Sequence, residues 1–290
     1  ENSVEKNIMK YGMNLLLWSG EVTEEMLPVC EQLKEIGYDS VELPMFNLDL
    51  DYAKIGKRLD EIGLGRTAVT IRGEEDNPIS CDPAVRAKGV ELNKKTLDCC
   101  AAAGVEILVG PYHSAIGLFS GAGPTEDEWK WGVESMRATA EYAETVGVKL
   151  GVEALNRFEC YLLNCHGDSA RFAREVDHPS CGIMYDTFHS NIEEKSITEA
   201  IQAGGDKLFH IHISENDRST PGKGGVNWKE NFDAIVQSGY DGYLTIEAFG
   251  LALPEIAAAT KIWRKMFSDE LTLAKEGLEF MKAELAARNA

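Results

Sequence analysis

VKLGVEAL (148–155), CGIMYD (181–186), LFHIHIS (208–214) and YLTIEAF (243–249) are four short β-branched, apolar runs, and each carries one polar residue at or near its end. Those residues are Glu153, Asp186, His212 and Glu247. The steps between them are 33, 26 and 35 residues, about one strand-plus-helix unit each. If such units close into a barrel, the four side chains converge at one end of its interior. Three carboxylates and an imidazole are costly to bury together unless a cation neutralises them, so the pattern predicts a divalent-metal site.

Upstream of this half the same alternation continues. MNLLLW (13–18), SVELPM (40–45), RTAVTI (66–71) and VEILVG (105–110) are strand-like. Between them stand helical patterns ending at Gly37, Gly63, Gly104 and Gly147, and Thr125 with Glu128 suits a capping box. A final helical stretch is expected from about Leu253. Eight βα units in a chain of 290 residues predict the α/β class, a single (β/α)8 TIM barrel over 9–290. An open dinucleotide-binding sheet would want GxGxxG after the first strand, where Trp18-Ser19-Gly20-Glu21 stands instead. The GKGG at 222–225 lacks Walker spacing and reads as a plain loop. Residues 1–8 read as a leader or cloning remnant.

Composition narrows the function classes. The net charge of −19, from 29 basic and 48 acidic residues, argues against a nucleic-acid or anionic-membrane partner. No run reaches the ~18 apolar residues of a membrane span. Seven cysteines without CxxC spacing read as free thiols in a reducing, cytoplasmic setting. One nitrogen and three carboxylates make a hard donor set, favouring Mn2+, with Co2+ or Mg2+ as alternatives, over a thiolate zinc site. In HIHIS, His210 and His212 are expected to face opposite ways, with His212 in the interior and His210 a structural side chain against the helices.

Five blocks carry a family resemblance: GVEALNRFE (151–159), LLN (162–164), YDTFHSNIEE (185–194), HIHISENDRSTPGKG (210–224) and TIEAF (245–249). With the opening MKYGM (9–13), and with Trp263–Arg264 matching a late helix, the chain resembles the ketose 3-epimerases. These are the D-tagatose/D-allulose 3-epimerase group of xylose-isomerase-like barrels. The resemblance implies metal ligation by Glu153, Asp186, His212 and Glu247, and substrate contacts by Glu159, His189 and Arg218. Glu153 and Glu247 would exchange base and acid roles at C3 of a free ketose, through an enediolate. Trp18 matches a recurrent tryptophan at the substrate. Asn14 and Leu15–Leu17 stand where relatives often carry aromatics, so the preferred ketose is open among D-allulose, D-tagatose, L-ribulose and others. PYHSAIGLFSGAGPTEDEW (111–129) could be a lid. Resemblance also suggests a homodimer or homotetramer, with WRKMF (263–267) and FMKAEL (280–285) carrying apolar stripes. The same acidic shell could serve a hydroxypyruvate isomerase, an aldose–ketose isomerase or an inosose dehydratase. A repair endonuclease of this architecture would need more histidines and a basic groove.

Overall fold

Short strands rich in Val, Ile and Leu, each followed by an amphipathic helix, can bury both faces only inside a ring of helices. In the computed structural model, which describes residues 9–288, the chain does this. The expected leader 1–8 lies outside the described residues. Strands β1 (Lys10–Asn14), β2 (Ser40–Pro44), β3 (Gly65–Val69), β4 (Ile107–Gly110), β5 (Lys149–Glu153), β6 (Cys181–Asp186), β7 (Leu208–Ile213) and β8 (Tyr243–Ile246) form a closed barrel in chain order. All eight pairings are parallel, and β8 closes on β1 through Gly12↔Thr245.

The helices follow the predicted units: α1 (Leu27–Ile36), α2 (Tyr52–Ile62), α3 (Pro83–Ala103), α4 (Glu126–Val146) and α5 (His166–Val176). Two short helices, α6 (Thr187–Glu193) and α7 (Ile197–Gly204), follow β6, and α8 (Trp228–Gln237), α9 (Pro254–Thr260) and α10 (Glu270–Ala286) complete the ring. Thr125 and Glu128 cap α4 reciprocally, at 3.1 and 3.0 Å. Gly63 and Gly104 end α2 and α3 with φ of +85° and +72°, where a Cβ would be strained. All seven cysteines are free. Among the described residues no helix is long and apolar enough to cross a membrane.

Three expectations need correction. The first strand is KYGMN, not MNLLLW, because the Asn14 carboxamide accepts the Leu16 N–H at 2.8 Å and turns Leu15–Leu17 into a 3-10 helix. Trp263–Arg264 is not helical; it lies in the irregular stretch between α9 and α10, with Trp263 72% exposed. The stripe on α10 is consumed within the chain. Leu278, Met281 and Leu285 are buried, Phe280 packs edge-on against Trp228 and Phe232, and the Tyr38 hydroxyl donates to the Ala274 carbonyl at 2.6 Å. In 111–129, Pro111–Ala115 is buried against the barrel, 117–125 is mostly exposed, and α4 begins at Glu126.

Candidate active site and metal centre

Parallel strands in a barrel present their C-terminal ends to one rim, where catalytic side chains gather. Glu153 ends β5, Asp186 ends β6, His212 lies near the end of β7, and Glu247 follows β8 directly. One ligand atom from each lies within 4.8 Å of the others, and all four residues are buried. His212 Nδ1 sits 3.6 Å from Asp186 Oδ2 and 3.4 Å from Glu247 Oε2. Asp186 Oδ2 and His212 Nδ1 have no hydrogen-bond partner although both are buried. Orphaned atoms of this kind are rare in a folded interior. A hard divalent cation fits this donor set.

His212 is oriented from below. Its Nε2 is 2.5 Å from Glu42 Oε1, and His210 Nε2 is 2.8 Å from Glu42 Oε2. Asn14 Nδ2 and the Thr67 hydroxyl donate to the same carboxylate, each at 2.8 Å. Burial alone would raise Glu42, but the two histidines outweigh it and hold this carboxyl well below its ordinary value. Glu42 therefore engages the far nitrogen of His212 and leaves Nδ1 toward the carboxylates, the arrangement that metal-binding histidines use. The expected opposite orientation of His210 is wrong. In a strand, residues two apart share a face, so both imidazoles point inward, 5.3 Å apart. His210 is a structural histidine, but of the barrel interior.

The electrostatics of the four ligands follow from crowding like charges out of water. Burial, then Glu247 and Asp186, push Glu153 well above the ordinary carboxylate value. Burial likewise raises Glu247 to about 7, against the pull of His212 and Arg218. Burial would raise Asp186 too, but His189, Arg218 and His212 hold it down. Burial would lower His212, yet the Glu42 and Glu247 carboxylates raise it well above normal. The charge that draws a proton onto His212 would equally draw a divalent cation into that proton's place.

Around these four stand the other expected residues. Arg218 Nη1 donates to Glu247 Oε1 at 2.9 Å and to the Ser214 hydroxyl at 3.0 Å, and its guanidinium lies 3.5 Å from the Phe188 ring centre. Its φ of +64° is unusual for a non-glycine residue. The loop that imposes it is tied round buried Glu215, which accepts from Trp228 Nε1 at 2.8 Å, Gly222 N at 2.9 Å and Val226 N at 3.0 Å. Burial lowers His189 to about 4, so it is neutral. The Asn156 N–H donates to His189 Nδ1 at 3.0 Å, and the Arg218 guanidinium approaches Nε2 from the other side. That nitrogen lies 3.5 Å from Glu153 Oε1 and 3.3 Å from Arg218 Nη2. Glu159 reaches the same assembly, accepting from the Asn156 side chain and lying 3.6 Å from His189 Nδ1.

Glu153, Glu159, His189, Arg218 and Glu247 line one cavity of about 230 Å³. Trp18 does not line it. The 3-10 turn places Leu16 at the cavity wall, while Trp18 packs half-buried against the main core. Reading the sequence missed Glu42, Asn156 and Glu215. Glu42 left the clearest signal, as an acid two residues after Ser40 on the inward register of an otherwise apolar strand, and the other two sit in loops without periodicity.

A family model for the xylose isomerase-like TIM barrel matches residues 30–284. The L-ribulose 3-epimerase of Methylomonas sp. (strain DH-1) is 31% identical over 278 residues, covering 94% of this chain and 97% of that protein. The D-psicose 3-epimerase of Agrobacterium fabrum is 31% identical over 287 residues, covering 97% and 96%. The crystal structure of a Methylomonas sp. D-allulose 3-epimerase in complex with D-allulose superposes with a TM-score of 0.90 at 30% identity, over 96% of this chain and 97% of that one. With a closed eight-stranded barrel and an acidic, histidine-bearing cluster at its rim, the chain belongs to the xylose isomerase-like TIM-barrel family and is a carbohydrate epimerase.

Proposed function

We propose that the protein is a metal-dependent ketose 3-epimerase acting on free ketoses, with Mn2+ as the favoured ion. The observation that carries this reading is the convergence of Glu153, Asp186, His212 and Glu247, with orphaned buried atoms on Asp186 and His212. The 3-epimerase names of its relatives support the position of the reaction. Inversion next to a ketone requires a proton to leave one face of the carbon and another to reach the opposite face. Glu153 and Glu247 stand on β5 and the end of β8, on different sides of the barrel mouth. Each is raised toward neutrality, as suits a group that both accepts and donates a proton.

Glu153, Asp186, His212 and Glu247 would hold the metal, which supplies a Lewis acid for the ketose carbonyl and neighbouring hydroxyl. Arg218 holds Glu247 in place through Nη1 and keeps its guanidinium beside His189. His189, whose Nε2 lies between Glu153 and Arg218, and Arg218 itself would stand beside the substrate oxygen on which negative charge develops. Asn156 and Glu159 fix that ring. The small cavity suits one monosaccharide. Exposed Phe158 and Trp263, at 74% and 72%, are consistent with a homodimer or homotetramer.

The test is a reaction in D2O with Mn2+ and a panel of free ketoses, with Glu153→Gln and Glu247→Gln as controls. C3 epimers carrying deuterium at C3, lost in both variants, are expected. Deuterium at C1 or C2 with aldose product would move the assignment to an isomerase.

A further inference from the structure

The cavity lining is mostly apolar. Apart from the five charged or imidazole side chains described above, Thr260 is the one polar side chain among the described residues that line it, and its hydroxyl proton is given to the Ile256 carbonyl at 2.6 Å. Leu16, Val69, Pro111, Ile116, Leu155 and Phe249 form the sides. Ile256 and Ala259 of α9 line it as well, as do Phe46 and Ile71, which are 42% and 39% exposed. A ketose whose C1–C3 portion lies among the carboxylates must set its C5–C6 end against this hydrocarbon. A hydroxyl placed there gives up water and finds no side-chain donor and at most the Thr260 oxygen as acceptor, whereas a methyl group buries apolar area.

We infer that the substrates this protein prefers are 6-deoxyketohexoses, whose sixth carbon is a methyl, over the matching 6-hydroxylated ketohexoses. The inference rests on the 3-epimerase reading and narrows its substrate class. Phe46 and Ile71 add further apolar surface to the same lining.

The experiment compares matched pairs on the metal-loaded full chain, 6-deoxy-L-fructose against L-fructose and 6-deoxy-D-fructose against D-fructose. C3 epimerisation is followed by chromatography and by deuterium uptake. At least one 6-deoxy sugar is expected to exceed its partner in kcat/KM by roughly 10- to 100-fold, mostly through KM. Ile256→Gln, which adds an amide to the wall, is expected to shrink that ratio toward unity. Parent sugars turned over as well as or better than their 6-deoxy counterparts would overturn the inference and leave the 3-epimerase reading standing. A ratio unchanged in a folded Ile256→Gln protein would also count against it, because C6 would then not lie near α9. No C3 exchange on any ketose, with circular dichroism showing a folded chain and calorimetry showing bound Mn2+, would remove the reading beneath it.

Discussion

Replacing Glu42 by Gln tests whether the layer beneath the rim sets the metal site. Each Glu42 oxygen accepts two donors, Oε1 from His212 and Asn14, Oε2 from His210 and Thr67. An amide must turn its NH2 toward one of these pairs. Facing His212 and Asn14 it would meet two donors, and the Asn14 amide cannot turn because its Oδ1 holds the Leu16 N–H. Facing His210 and Thr67 it can be accommodated, because the threonine hydroxyl can rotate and His210 Nδ1 has no partner, so that ring can move its proton to Nδ1. The variant should therefore fold with its NH2 toward His210, and His212 is left with a neutral acceptor in place of a carboxylate. Charge-assisted bonds contribute roughly 1.5–3 kcal/mol each and neutral ones about 1, so weakening four of them should cost about 2–8 kcal/mol of folding stability.

The consequence for the site is separate. Removing the carboxylate behind a ligating histidine lowers metal affinity about 10- to 100-fold. Urea unfolding of the metal-free protein reads the first effect, and calorimetric titration with Mn2+ reads the second. Lost stability with an unchanged Mn2+ affinity would make Glu42 a purely structural carboxylate. No change in either would mean that the buried Glu42–histidine bonds are not what holds His212, and the argument for its orientation would fail.

Removal of the metal by chelation should lower Tm, since a ligand at a thousand times its Kd stabilises by about 4 kcal/mol. Scanning calorimetry with and without added Mn2+ checks this, and an unchanged Tm would deny a tightly held cation. Glu153→Gln and Glu247→Gln should each reduce kcat by roughly 10²–10⁴, with pre-steady-state deuterium exchange showing which face of C3 is silenced. His166, buried under α7 with Nδ1 on the Ala200 carbonyl, is lowered by burial to about 4 from an ordinary 6.5. The unfolded chain then binds the extra proton between those values. Stability from this group is present above pH 6.5 and lost as pH falls toward 4, by about 3 kcal/mol. His166→Phe should flatten that part of the stability–pH curve; an unaltered slope would place the proton elsewhere.

The strand-end acids were legible because Glu153, Asp186 and Glu247 interrupt or terminate apolar runs at repeating intervals, and few structural uses require that. The alternation of units and the glycine stops made the barrel legible in the same way. What misled was local geometry. The two-residue period places His210 beside His212, so the pair in HIHIS marks one inward face rather than two faces. The first strand was drawn too late because three leucines look like strand interior, whereas the Asn14 side chain ends the strand on its own backbone. That shift is also why Leu16, and not Trp18, reaches the cavity. Asn156 and Glu215 were invisible for a different reason, since their side chains accept from loop backbone groups, the Phe158 and Val226 N–H, that no periodicity announces.

Charge balance ties the deeper layer to the chemistry at the rim. Glu42, Glu153, Asp186 and Glu247 are four buried carboxylates, and Arg218 is the buried guanidinium in contact with them. His189 and His210 are both lowered by burial and stay neutral at pH 7. A divalent cation in place of the proton on His212 would leave this cluster with one negative charge in excess. A single proton closes the difference. Without a metal, Glu42 and Asp186 are held low by their neighbours while Glu153 and Glu247 are raised, so the proposed mechanism would put that proton on one of these two. One mobile proton shared by two carboxyl groups across a cavity is what inversion through alternating acid and base requires. On the proposed mechanism Glu42 would do more than orient His212: by remaining charged beneath a bound metal it would keep that proton at the rim, on Glu153 or Glu247.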